Sequence, residues 1–97
     1  MGLTQAEERT ISLMRKLYGL WDGLPLDEPV HYEVGDFYAP HLLRARGQDL
    51  PRQSLRAFLH REWVWTVNEP REDGQRPHGH IRLTEDGMKV VSSLRES

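Results

Sequence analysis

The sequence predicts an α+β domain whose elements run helix, strand, helix, helix, strand, strand, helix. Three observations lead there. Apolar residues recur at helical spacing near both ends of the chain, they alternate with polar ones around Tyr32 and again between Trp63 and Leu83, and two helix-compatible stretches meet at Gly47. Ninety-seven residues are the size of one domain, so residues 1–97 are read as a single unit.

Thr4 and Glu7 have the spacing of a capping box, so a first helix is expected from about Gln5 to Leu20. Its inward stripe is Leu3, Thr10, Met14, Leu17 and Trp21, with Ile11 and Tyr18 beside it. Leu13 and Leu20 lie on one flank, either as a dimer surface or as part of a wide buried face. WDGLPLDEP, Trp21 to Pro29, is rich in turn formers and reads as a loop. Val30, Tyr32 and Val34 then alternate with His31 and Glu33 as in a half-buried strand. A second helix is expected over Phe37 to Arg46, capped by Asp36, with Phe37, His41, Leu42 and Ala45 inward. Gly47 takes the position just past its end, where glycine adopts a left-handed conformation at least cost.

A third helix follows Gln48–Leu50, with Pro51 at its first position and Ser54 in its first turn. Leu55, Phe58, Leu59 and Glu62 fall on one side of it; Arg52, Gln53, Arg56 and His60 fall on the other. Beyond His60 the period changes to two: Trp63, Trp65 and Val67 share one side of a strand, and Ile81 and Leu83 alternate with His80 and Arg82 in its partner. The polar segment Asn68–Gly79 joins them as a long hairpin tip. Thr84 caps a last helix from about Glu85 to Glu96, with Met88 and Val91 inward.

The net charge of −2 is unevenly spread. Residues 1–40 carry three basic and seven acidic side chains, residues 41–83 carry eight arginines against five acids, and four of the five histidines also lie in that middle segment. Arginine's planar fork suits phosphate and guanine edges, so the partner-facing region is placed there. No cysteine occurs, which excludes disulfides and thiolate metal sites. No apolar run approaches the roughly 20 residues that span a bilayer, and MGLTQA has Ala6 where a myristoylation signal wants Ser or Thr. A cytoplasmic protein is expected.

Helix, glycine, tight turn, helix is the outline of a helix-turn-helix unit, and the whole order resembles the winged helix-turn-helix fold. RLTEDGMKVVSSL, Arg82 to Leu94, is similar to the strand-to-helix ending of MarR- and PadR-like regulators, where Leu-Thr is followed by an acidic residue and Gly. The resemblance implies that the helix at about 51–61 enters the DNA major groove and that the hairpin, at about 63–84, forms a wing with its tip near Pro70–His78. That family usually places Gly just before the strand, where this chain has Glu62; its adjacent Asp-Arg pair is here Asp73 and Arg76, separated by Gly74 and Gln75.

The residues expected to bind DNA are therefore Arg52, Gln53, Arg56 and His60 on the helix and Arg71, Arg76 and His78 on the wing. The forks of Arg56 and Gln53 match guanine and adenine edges, while the wing residues suit backbone or minor groove. The bland alternative makes the helix residues a solvated face. Trp63 and Trp65 are expected mainly in the core, with base stacking as the lesser reading. His78 and His80 point the same way and, with His31 or His41, offer imidazoles to a metal, but no acidic or thiol partner has a recognisable spacing, so no metal or cofactor is expected. A nucleophile–base set, paired catalytic carboxylates and a phosphate-binding glycine loop are all missing from the sequence, so no enzyme is expected. The expectation is a small DNA-binding transcriptional regulator, a homodimer through its first and last helices, or alternatively a protein- or RNA-interaction module of the same fold.

Overall fold

A computed structural model describes residues 2–34, 41–69 and 77–96. The chain is α+β, with the order α1 (Gln5–Trp21), β1 (Val30–Val34), β2 (Leu42–Ala45), β3 (Gln48–Pro51), α2 (Arg52–His60), β4 (Val64–Glu69), β5 (His78–Leu83) and α3 (Glu85–Arg95). The five strands form one antiparallel sheet in the order β3-β2-β1-β5-β4. Val30, Leu43, Ala45, Leu50, Val64, Ile81 and Leu83 are buried on one face of it, together with Leu17, Leu20 and Trp21 of α1, Phe58 of α2 and Val91 of α3. The helices thus cover that face, and His31, Glu33, Arg44 and Trp65 lie exposed on the other.

The local signals at both ends of the chain act as expected. Thr4 accepts a hydrogen bond from the Glu7 amide and starts α1; Thr84 does the same for the Gly87 amide and starts α3. At its far end α1 has no basic residue of its own in the last turn. Two arginines from elsewhere supply the missing donors: Arg46 donates to the carbonyls of Leu20 and Asp22, both at 2.9 Å, and Arg95 donates to those of Trp21 and Leu24. Cations at a helix C-terminus satisfy orphan carbonyls and oppose the negative end of the helix dipole. The flank of Leu13 and Leu20 faces the chain's own core, with Leu20 buried and Leu13 packed against the cluster.

The expected order fails in one place. The helix over Phe37–Arg46 is contradicted at its second half, because Leu42–Ala45 is β2; residues 37–40, and Asp36 as its cap, lie outside the described residues. Gly47 does take a left-handed conformation, but so does Arg46 before it (φ 75° and 54°), and two such residues make the tight turn that joins β2 to β3. Gln48–Leu50, expected as a connection, is most of β3. Burial explains the outcome: as strand residues, Leu43 and Ala45 alternate inward and oppose Leu50 and Gln48, which places Leu43, Ala45 and Leu50 in the core at once. Pro51 is correspondingly the last residue of β3 and caps α2 from outside, rather than being its first helical residue.

The turn from α2 to β4 was also misplaced in detail. The amide of Trp63 donates to the Phe58 carbonyl and that of Glu62 to the Leu59 carbonyl, each at 3.0 Å, the paired bonds of a Schellman ending. The motif demands a left-handed residue, and Glu62 (φ 59°) occupies it, so the site where the resemblance wants glycine has glycine's conformation. The accompanying apolar contact is present, with the Phe58 and Trp63 rings 6.3 Å apart. Trp63 is consequently buried in the turn and does not share a strand face with Trp65, which is exposed beyond β4's first residue. Leu59 and Glu62, expected inward, are exposed; Ser54 and Phe58 are the buried residues of α2.

Candidate nucleic-acid interface and histidine cluster

Helix α2 is short, and its position is set by Phe58, wholly buried in the core, and by two polar ties to α1. Lys16 Nζ donates to Ser54 Oγ at 3.5 Å, and Arg61 donates to Thr10 Oγ1 at 3.1 Å. With that side fixed inward, Arg52, Gln53, Arg56 and His60 all lie exposed on the opposite side, as the spacing predicted. No acidic residue occurs between Leu50 and Arg61.

The same helix borders a groove of ≈ 440 Å³, walled by Arg52, Arg56 and Leu59 on one side and by Tyr32, Asn68 and His78 of the sheet on the other. It is lined by the loop-proximal ends of β4 and β5, so the helix and the hairpin are brought together there. Tyr32 Oη donates to Asn68 Oδ1 there. Burial holds the Tyr32 hydroxyl above the ordinary tyrosine range; the nearby Arg52 charge opposes that shift and the Glu69 charge adds to it. The wing arginines Arg71 and Arg76 lie outside the described residues. His78 does not sit at a tip. It begins β5, and its Nε2 lies 3.1 Å from Glu69 Oε2.

Glu69 joins the site without any local pattern in the sequence that marks it. The register of β4 on β5 sets it opposite His78, and that of β1 on β5 sets His31 opposite His80. Side chains directly opposite in antiparallel strands share a face, and those two apart along a strand do as well. The result is that Glu69 Oε1 lies 3.0 Å from His80 Nδ1 and 3.8 Å from His31 Nδ1, while Oε2 meets His78. The His80 hydrogen bond holds the Glu69 carboxyl below the usual carboxylate range, aided by the charges of the surrounding histidines against the opposing cost of burial. His41, the alternative third imidazole, stands apart; its carbonyl accepts the Arg52 amide.

On the outer face Trp65 is 46% exposed, with the Arg82 guanidinium 5.8 Å from its ring centre. No helix among the described residues is long and apolar enough to cross a membrane. Compared with protein-family models, with curated proteins and with solved structures, the chain matches none.

Proposed function

We propose that this chain binds double-stranded DNA through the exposed face of α2 and acts as a small transcriptional regulator. The observation that carries the reading is that Arg52, Gln53, Arg56 and His60 form one exposed face on a helix segment free of acidic residues. Their chemistry suits a duplex: Arg56 and Gln53 have forks for base edges, and Arg52 stands at the helix start where phosphate is also favoured. In the winged-helix form of this reading, β4–β5 is the wing and Arg71, Arg76 and His78 hold the flanking backbone. The observed order, α-β-β-β-α-β-β-α, differs from that fold in having the β2–β3 hairpin where its middle helix was expected. Self-association through α1 and α3 belongs to the same proposal.

Fluorescence anisotropy with a labelled duplex at low and moderate salt tests it. Each phosphate contact contributes about 0.9 to the slope of log K against log salt, so Arg52→Ala/Arg56→Ala lowers the slope by up to about 2 and weakens binding. Binding that the double variant leaves unchanged, or that ignores salt, overturns the assignment.

The exposed Trp65 favours a second reading, a module that meets protein or RNA on the open sheet face. An Arg-flanked aromatic on a strand is a stacking platform for unpaired bases and an anchor for a protein partner. Trp65→Ala distinguishes the two, since it abolishes binding in the second reading and leaves duplex binding through α2 intact.

A further inference from the structure

We propose that His31, His80 and Glu69 form a binding site for a late divalent transition metal, zinc in the first instance, on the sheet face opposite the helices. One ligand atom from each of the three lies within 4.8 Å of the others. They come from β1, β5 and β4, three neighbouring strands whose ladders fix their spacing. The donor set, two imidazoles and a carboxylate, is one that zinc takes in tetrahedral sites.

Two of the three spacings lie near that of a tetrahedral site. Bonds of about 2.0–2.1 Å in a tetrahedron place ligand atoms roughly 3.3 Å apart. Here Glu69 Oε1 lies 3.0 Å from His80 Nδ1 and 3.8 Å from His31 Nδ1, values on either side of that spacing. A metal takes the place of the hydrogen between His80 Nδ1 and Glu69 Oε1, and the neutral ring then keeps its hydrogen on Nε2. His78 supplies what the first three lack. Its Nε2, 3.1 Å from Glu69 Oε2, fixes the carboxylate's orientation from behind, the outer-shell role that tunes metal affinity. The His31 side chain is 70% exposed, which gives the ion an entry path and leaves a fourth position to water. The bound ion ties β1 to both strands of the hairpin, so its first effect is to hold that hairpin to the sheet.

The inference does not rest on DNA binding: the three ligands lie outside the α2 face, and His78, which the winged-helix reading also uses, is left unchanged in the test. Isothermal titration of the whole chain with zinc chloride in chelator-free buffer is the test, repeated on H31A, E69Q and H41A. One zinc per chain is expected, with a melting temperature that rises on loading. H31A and E69Q each weaken binding at least about tenfold, as loss of metal-site partners does, and H41A binds as the parent. His31 is exposed enough for H31A to fold, and melting of each metal-free variant checks that it has. Zinc uptake unaffected by H31A or E69Q, uptake abolished equally by H41A, or no uptake by the parent overturns the site.

Discussion

Glu62 is a place where one atom's worth of chemistry sets a measurable energy. Its backbone is left-handed (φ 59°) at the Schellman position after α2, and its side chain is exposed. A left-handed conformation costs an L-residue with a Cβ about 1–2 kcal/mol, which glycine escapes. Glycine's greater freedom in the unfolded chain returns about 0.5–1 kcal/mol of that. Glu62→Gly is therefore expected to stabilise the fold by a net of about 0.5–1 kcal/mol, or roughly 3–6 °C in Tm for a domain this size. The hydrogen bonds of the turn involve its amide and carbonyl and survive the change. Urea unfolding followed by tryptophan fluorescence is a suitable assay, since Trp63 adjoins the site. Glu62→Ala is the control, because it removes the charge and keeps the Cβ; it should move the midpoint little. If Ala stabilises as much as Gly, the effect is electrostatic and the backbone account is wrong; if Gly destabilises, the turn is held by something other than the conformation assigned to it.

Two further outcomes follow from the same geometry. A Cβ on Gly87 would lie 1.9 Å from the Trp63 carbonyl oxygen, a backbone atom that cannot swing aside, so Gly87→Ala should cost at least about 3 kcal/mol. Gly19 in α1 meets nothing within 4 Å, and Gly19→Ala should instead stabilise by about 0.5–1 kcal/mol; urea midpoints of the pair check both signs. Tyr32 gives a pH dependence. Burial raises its hydroxyl in the native state, so the unfolded chain ionises first: the contribution is complete below about pH 10 and is lost as pH rises through the native value. The stability difference between the parent and Tyr32→Phe should stay level up to about pH 10 and shrink above it, and a difference that stays constant there contradicts the burial assigned to that hydroxyl.

The ends of the chain were readable because their signals are local. Thr4 with Glu7, the alternation Val30–Val34 and Thr84 before its helix each settle an element within a few residues, and the observed bounds follow them. The stretch LLRARGQDLP was not readable in that way. Four-residue strands are too short to separate period 2 from half a helical turn, and Leu42 with Ala45 satisfied the helical spacing as well as Leu43 with Ala45 satisfied the strand. What decides is the core, which needs Leu43, Ala45 and Leu50 together. The polar face of α2 was legible because it is a single helix. The histidine cluster was not, because Glu69 lies 38 residues from His31 and 11 from His80, and only the strand registers bring them together.

The sheet's two borders are unequal. On the β3 side the outermost strand has four residues and ends in Pro51, which has no amide hydrogen to offer a neighbouring strand. On the opposite side β4 runs for six residues, Val64–Glu69, with no proline and with Trp65 standing out from it. Of the two outermost strands among the described residues, β4 is therefore the one with the longer run of backbone amides not paired on its outer side. Helix α2 packs against both outermost strands, β3 and β4, so the difference between the borders lies in the strands themselves.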